Sequence, residues 1–173
     1  MLPFFFTEQL IVRSSKSYAF ENATWRVDEV EKREIGAYDA VKIYCNGRLV
    51  LVEEKGGMHA ASFIKWPYPG RLLAVAEHSY AGHGQTTRFF QAHKGKVIDL
   101  GLSLDAERGG PIFRDLDRDG KLEVIFDNDD WYVFYGKPPT ELHAYKFADG
   151  KLTFWKKLPN KSKKRLPQRL PAY

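Results

Sequence analysis

The stretch of this sequence with the clearest chemical content places four carboxylates at alternate positions around a glycine. Residues 115–123 read DLDRDGKLE. Calcium, a hard divalent cation, takes about six to eight oxygen ligands at roughly 2.3–2.6 Å, and alternate residues of a tight loop direct their oxygens inward. The candidate ligands are the side chains of Asp115, Asp117, Asp119 and Glu123 and the backbone carbonyl of Lys121. Gly120 permits the sharp bend that a Cβ atom would obstruct, so the sequence predicts a calcium loop.

The residues on either side of this loop indicate β-strands. GPIFR leads in from Gly110 and LEVIF leads out to Phe126, and both segments are short and rich in β-branched or aromatic residues. A helix-loop-helix calcium hand would also need a Glu at about the twelfth loop position, where this chain has Phe126. The flanks therefore favour a loop between two strands. An ordinary acidic hairpin turn is the alternative, because Asp and Gly are common in turns.

A strand, a DxDxDGxxE loop and a second strand resemble the FG-GAP/VCBS repeats of integrin-type β-propellers, in which the loop joins two strands of a blade and binds calcium. Upstream, Ser79–Phe90 is similar to a Ser-Gly-Gly-Ala-His-Cys-Cys segment of small bacterial envelope proteins that carry one such loop. This chain has no cysteine there, so no thiol or disulfide role carries over. The resemblance covers about Leu72 to Trp155. It implies a propeller-like fold, a calcium ion and a periplasmic or extracellular location, but no activity.

Turn signals flanked by apolar or alternating runs recur along the chain. Asn46-Gly47 and Asp149-Gly150 are strong hairpin signals because these residues tolerate positive φ, and Lys94-Gly95 is a weaker one. A pattern of glycine, cation, leucine and an apolar strand closed by an acid recurs at Gly47–Glu53, Gly70–Glu77 and Gly120–Asp127. The last two lie 50 residues apart, close to the length of a four-stranded propeller blade. The sequence thus predicts an all-β antiparallel meander, arranged as an incomplete propeller or as a sandwich.

Composition and charge divide the chain into a body and a tail. With 43% hydrophobic and 14% aromatic residues, it is typical of folded globular proteins. Of its 27 Lys and Arg residues, eight lie at or after Lys151, where no acid occurs, so 19 basic residues face 22 acidic ones before it. We expect a single β domain over residues 1–157, with an irregular N-terminal segment at 1–22 in which Phe4, Phe5, Phe6 and residues 10–12 pin an edge strand to the body. Residues 158–173, basic and proline-containing, are expected to form a disordered tail.

Targeting segments give no clear signal. No stretch approaches the ~20 apolar residues of a membrane span. Met1–Phe6 is apolar but too short for a signal peptide, so two alternatives stay open: a cytoplasmic protein, or an exported one whose signal has been removed. Cys45 is the only cysteine, and its place among alternating apolar residues predicts a small buried hydrophobe rather than a nucleophile.

Two further clusters contain residue types that catalyse reactions or bind metals. A carboxylate and two imidazoles, Glu77, His78 and His83, surround a glycine-containing turn and suggest a zinc site, although their spacing fits no known signature. Histidines that hydrogen-bond to the backbone of a turn are the alternative. The crowded acids Asp127, Asp129 and Asp130 suggest acid-base hydrolysis or, alternatively, outer coordination of the calcium.

Four aromatic residues are candidates for partner recognition. Trp66 and Tyr68 lie in the proline-rich run WPYPG, which predicts a rigid exposed loop. Trp131 and Tyr132 begin the run WYVFY, which predicts either a buried central strand or an aromatic platform for a sugar or protein.

The sequence as a whole favours a non-catalytic, calcium-stabilised β module that binds a protein or glycan. The chain has no nucleophile elbow, P-loop or dinucleotide fingerprint. Two alternatives stay open: an envelope hydrolase that uses the acidic cluster or the histidine turn, and a tail-driven binder of nucleic acid or an anionic membrane surface. Nucleic acid is the disfavoured partner, because a solvated solubilising tail is the commoner use of such a segment.

Overall fold

Twelve β-strands make up nearly all of the part of the chain that the computed structural model describes, which comprises residues 10–32, 39–54, 57–79, 85–106, 111–126 and 141–161. The strands are β1 Leu10–Phe20, β2 Ala23–Lys32, β3 Ala40–Cys45, β4 Arg48–Glu54, β5 Gly57–Ile64, β6 Arg71–Ser79, β7 Gln85–His93, β8 Lys96–Ala106, β9 Ile112–Arg114, β10 Glu123–Phe126, β11 Glu141–Ala148 and β12 Lys151–Pro159. Within these ranges no helix is long and apolar enough to cross a membrane.

The strands form three antiparallel sheets of four strands each. The N-terminal sheet contains β1–β4, the central sheet β5–β8 and the C-terminal sheet β9–β12, and in each the strands lie side by side in chain order. Every connection within a sheet therefore joins neighbouring strands. The predicted all-β antiparallel meander is confirmed.

Tight turns with positive φ join several of these strands. Asn46 and Gly47 have φ of 49° and 79°, and Asp149 and Gly150 have φ of 51° and 76°. Lys94 and Gly95 follow the same pattern at 47° and 73°. Two successive residues with positive φ match the twist of the flanking strands, so all three predicted hairpins are confirmed.

The central sheet is buried on both faces. On one side Phe63, Leu73, Val75 and Phe90 pack against Trp25, Val27, Val41 and Ile43 of the N-terminal sheet. On the other side Ile64, Leu72, Ala74 and Phe89 pack against Val124, Phe126 and Leu152 of the C-terminal sheet. Consecutive strand residues point to opposite faces, so Phe89 and Phe90 each fill a different core. The three sheets are layers of one stack.

Two expectations about the ends of the chain need correction. The segment expected to be irregular, residues 1–22, contains the whole of β1, and this strand pairs with β2 from Leu10 to Phe20. At the other end, β12 continues to Pro159, past the expected domain boundary at residue 157, and Asn160 is buried. Proline can end an edge strand because no partner needs its missing N–H. Residues 162–173 of the expected tail lie outside the described residues.

The internal repeat corresponds in part to the sheet architecture. Gly70 and Gly120 each precede the second strand of their sheet, β6 and β10. Gly47 instead precedes β4, the last strand of the N-terminal sheet, so this copy is out of phase with the other two. Hairpins often begin after a glycine, which accounts for the third match without a repeat.

Candidate metal centre

The acidic loop joins the first two strands of the C-terminal sheet. β9 and β10 pair antiparallel, with Glu123 opposite Arg114 and Val124 opposite Phe113. Because these two strands are antiparallel, the end of β9 lies next to the start of β10, and the two ends of the loop are therefore adjacent. Asp115 follows β9 directly and Glu123 begins β10, and the pairing therefore places these two carboxylates side by side.

Three of the expected ligands come together at this point. Carboxylate oxygens of Asp115, Asp117 and Glu123 all lie within 4.8 Å of one another. Asp119 is outside this group, and its Oδ1 accepts a hydrogen bond from the Lys121 backbone N–H at 2.8 Å. The convergence of three anionic oxygens is the arrangement that a hard cation requires.

Backbone hydrogen bonds hold the loop in shape. The two carboxylate oxygens of Asp115 accept the N–H groups of Asp119 at 3.2 Å and Gly120 at 3.0 Å. Glu123 Oε2 accepts the Leu116 N–H at 2.7 Å. Gly120 has a φ of 81°, which an L-residue with a Cβ adopts only with strain. The predicted reason for the glycine is therefore confirmed.

Glu123 is the most constrained acid in the loop. Only 1% of its surface is exposed. An ionised carboxylate buried to this extent needs hydrogen bonds and a cation nearby, because water no longer solvates its charge. The Leu116 N–H supplies one of these interactions.

Lys146 supplies a cation, and sequence analysis did not identify it. Its Nζ donates a hydrogen bond to Asp117 Oδ2 and lies 3.7 Å from Glu123 Oε1 and 3.9 Å from Asp119 Oδ2. The Asp117 hydrogen bond and charge raise the pKa of Lys146, and the same hydrogen bond lowers the pKa of Asp117. Lys146 comes from β11, more than twenty residues beyond the loop, so only the sheet register brings it here.

An indole ring adjoins this ammonium group. Lys146 Nζ lies 3.9 Å from the centroid of the Trp155 ring, and Lys156 Nζ lies 3.8 Å from the same centroid. Both distances are those of cation-π contacts. The loop, Lys146 and Trp155 thus form one connected group of side chains.

The expectation that Trp66 and Tyr68 lie in an exposed loop is wrong. Trp66 is only 7% exposed and belongs to the core between the central and C-terminal sheets. Tyr68 packs on Trp66 and on Phe147, with ring centroids 5.0 and 4.5 Å apart, and its hydroxyl donates to the Phe147 carbonyl at 3.4 Å. Stacking of two sheets, which no local pattern encodes, buries Trp66 and part of Tyr68, whereas Pro67 and Pro69 remain exposed.

Tyr68 also lies near enough to the acidic loop for the charges of the loop to change its pKa. Burial raises the pKa of its hydroxyl, and the negative charges of Asp119 and Glu123 raise it further. The segment that carries Trp66 and Tyr68, residues 66–70, is here called the aromatic loop. It is therefore close in space to the acidic loop, although the two are far apart in sequence. Trp131 and Tyr132, the other two recognition candidates, lie outside the described residues.

The remaining candidate clusters gain no support. Glu77 and His78 are consecutive residues of β6 and point to opposite faces of the central sheet, so they cannot ligate one zinc ion together. His83 and the acids Asp127, Asp129 and Asp130 lie outside the described residues. Cys45 is buried, as predicted, and burial raises the pKa of its thiol.

Comparisons of this chain with protein-family models, with curated proteins and with solved structures give no match.

Proposed function

We propose that this protein is a non-catalytic β module whose acidic loop, residues 115–123, binds calcium and is stabilised by it. The observation that carries the proposal is the convergence of Asp115, Asp117 and the buried Glu123 within 4.8 Å. Such a convergence concentrates negative charge, and a bound cation offsets the repulsion.

The local charge balance supports a divalent ion. Four carboxylates line the loop, at Asp115, Asp117, Asp119 and Glu123. Among the described residues, two ammonium groups lie within 4 Å of them: Lys146, and Lys121, whose Nζ is 3.9 Å from Asp119 Oδ2. These two cations offset at most half of the charge of the four acids, so the loop keeps a net negative charge that attracts a further cation.

The type of ligand supports calcium over other metals. The converging group is made only of carboxylates, with no imidazole or thiolate among the three residues. Oxygen-only sites suit calcium and magnesium, whereas zinc and copper favour nitrogen and sulfur. Magnesium requires near-ideal octahedral geometry and keeps its water, while calcium accepts irregular sets of carboxylate and carbonyl oxygens. A short loop with a buried closing Glu meets the second description.

The biological role that follows is binding rather than catalysis. A loop of this kind fixes the β9–β10 hairpin and the surface around it for a protein or glycan partner. Extracellular modules bind calcium at about 10⁻⁴ to 10⁻³ M, so we place this protein in the periplasm or outside the cell, where calcium reaches that range.

Thermal unfolding with and without calcium tests the proposal. If the dissociation constant lies in the range of extracellular modules, 1 mM calcium should stabilise the fold by about 0.4 to 1.4 kcal/mol. The melting temperature should then rise by roughly 1 to 5 °C for a domain of this size. EDTA should reverse the shift, and sodium chloride at equal ionic strength should not reproduce it.

Two variants show whether the loop is responsible. Asp117→Asn should lose most of the calcium response, because one of the converging carboxylates becomes neutral. Glu141→Gln is the matched control: this acid is exposed on β11, lies outside the loop and pairs with Lys157 at 2.9 Å. A wild-type melting curve that calcium and EDTA leave unchanged, or a full response in Asp117→Asn, would overturn the proposal.

A further inference from the structure

We infer that Lys146 sets the affinity of the acidic loop for metal and makes the loop selective for divalent over monovalent cations. This inference rests on the proposed function, because it concerns the same loop. The position of one ammonium group among the carboxylates carries the argument.

Lys146 Nζ interacts with three of the four loop acids. It donates a hydrogen bond to Asp117 and lies 3.9 Å from Asp119 and 3.7 Å from Glu123. Two of these acids, Asp117 and Glu123, belong to the converging group. A metal ion bound to that group and the ammonium therefore use the same carboxylates, and the two cations compete.

The backbone keeps Lys146 next to the loop. β10 and β11 pair with Val124 opposite Tyr145 and Ile125 opposite Ala144. If this pairing is continued by one residue pair toward the start of β10, Lys146 lies opposite Glu123. The Cα position of Lys146 is thus tied to the sheet, and only its flexible side chain can withdraw from the carboxylates.

A place for the withdrawn ammonium is already present. Lys146 Nζ is 3.9 Å from the centroid of Trp155, so a rotation of the side chain can keep the cation-π contact while it gives up the carboxylates. The side chain of Lys146 is 26% exposed, so the ammonium remains partly hydrated during such a movement. Exchange between lysine and metal then needs no unfolding of the hairpin.

Competition with a resident ammonium produces selectivity by charge. Sodium or potassium would replace one positive charge by another and gain little electrostatic energy in the exchange. A divalent ion adds a second charge and interacts twice as strongly with the same carboxylates at equal distance. Lys146 therefore lowers the affinity for every cation but excludes monovalent ones most effectively.

Calorimetric titration of calcium chloride into wild type, Lys146→Met and Lys156→Met tests the inference. Met retains a long unbranched side chain without the charge. Lys146→Met should bind calcium about tenfold more tightly or better, a change that corresponds to about 1.4 kcal/mol. Lys156→Met is the matched control, because Lys156 also contacts Trp155 but no described contact joins it to a loop acid; its affinity should stay within about twofold of wild type.

A second titration measures selectivity. Calcium binding is repeated with sodium chloride replaced by choline chloride at constant ionic strength. Sodium should weaken calcium binding to Lys146→Met and leave binding to the wild type nearly unchanged. Circular dichroism in EDTA checks that each variant is folded. If Lys146→Met does not fold, Lys146→Gln, which can still hydrogen-bond to Asp117, takes its place.

The outcomes separate this inference from the proposed function. Equal calcium affinity in wild type and Lys146→Met overturns the inference and leaves the calcium site standing. Binding only by Lys146→Met supports the inference and overturns the proposal that the native chain binds calcium. Absence of binding in every variant overturns both.

Discussion

Glu123 and Lys146 show how single residues depend on one another in this protein. Glu123 closes the acidic loop and is buried, whereas Lys146 reaches it from the neighbouring strand. A buried carboxylate without a cation nearby would destabilise the fold, because water no longer solvates its charge. Lys146 is the cation that accompanies Glu123 in this structure, and under the proposed function calcium would take its place.

Substitutions of Tyr68 test the corrected position of the aromatic loop. Tyr68→Ala should destabilise the fold by about 1 to 3 kcal/mol, because the ring packs on Trp66 and Phe147. Tyr68→Phe keeps the ring and loses only a long hydrogen bond of 3.4 Å, so its cost should stay within about 0.5 kcal/mol. Urea denaturation measures both. A loss below 0.5 kcal/mol for the alanine variant would mean that the ring is exposed after all, on the scale of ordinary surface substitutions.

A site residue could be predicted from the sequence when its position depends on the loop alone, and was missed when its position depends on strand pairing or sheet packing. Asp115, Asp117 and Glu123 were predicted because all three lie within one short loop, where alternate spacing indicates which side chains can converge. The same spacing also predicted Asp119, which lies outside the converging group and accepts the Lys121 N–H instead. Lys146 was missed because its contact depends on the register between β10 and β11. Trp66 was predicted to be exposed because flanking prolines describe only the local backbone, whereas the packing of two sheets decides its burial.

At the scale of strands and turns, the hairpin signals were reliable where the residues themselves favour positive φ. The turn between β1 and β2 was missed because Glu21, with a φ of 53°, is not a residue typical of that conformation. Contacts from another hairpin stabilise it: the Glu21 carboxylate accepts the Lys94 N–H at 2.8 Å and lies 2.5 Å from His93 Nδ1. Burial alone would raise the pKa of Glu21, but these two interactions outweigh it and lower the pKa. Because this turn was not predicted, the sequence indicated an edge strand only around residues 10–12 and not the full length of β1.

Two glycines with positive φ provide a test of how the strands approach one another. A Cβ atom on Gly70 would lie 2.0 Å from the Ala92 carbonyl oxygen, whereas one on Gly120 would meet nothing within 4 Å. Gly70→Ala should therefore cost about 3 kcal/mol or more, from backbone strain and a backbone clash. Gly120→Ala should cost about 1 to 2 kcal/mol, from strain alone.

Urea denaturation in EDTA measures both glycine variants without a contribution from metal. Similar losses for the two would show that β6 and β7 can separate slightly to admit the methyl group at position 70. That outcome would contradict a rigid contact between Gly70 and the strand that carries Ala92.

At the scale of the whole molecule, the central sheet joins the other two. Arg88 of β7 binds Glu53 of the N-terminal sheet through two hydrogen bonds of 2.9 and 2.7 Å and also contacts Asp99 of β8 at 2.8 Å. The same strand carries Phe89 toward the C-terminal sheet and Phe90 toward the N-terminal sheet. The all-β meander was predictable from turns and alternation. The order of the three layers was not, because apolar residues on both faces of β7 do not identify which sheet covers each face.

Because the central sheet packs against both outer sheets, we predict that the three layers unfold together. Phe89 is fully buried in the core next to the C-terminal sheet, so Phe89→Ala should lower the free energy of unfolding by about 3 to 5 kcal/mol. Phe154, an aromatic residue of β12 that is 53% exposed, is the control, and Phe154→Ala should cost less than about 1 kcal/mol. Because loss of either interface exposes the central sheet, denaturation followed by circular dichroism and by tryptophan fluorescence should give one coincident transition in wild type and in both variants. Two separate transitions in Phe89→Ala, with the N-terminal sheet unfolding later, would mean that the layers are independent and that the C-terminal sheet with its acidic loop can unfold by itself.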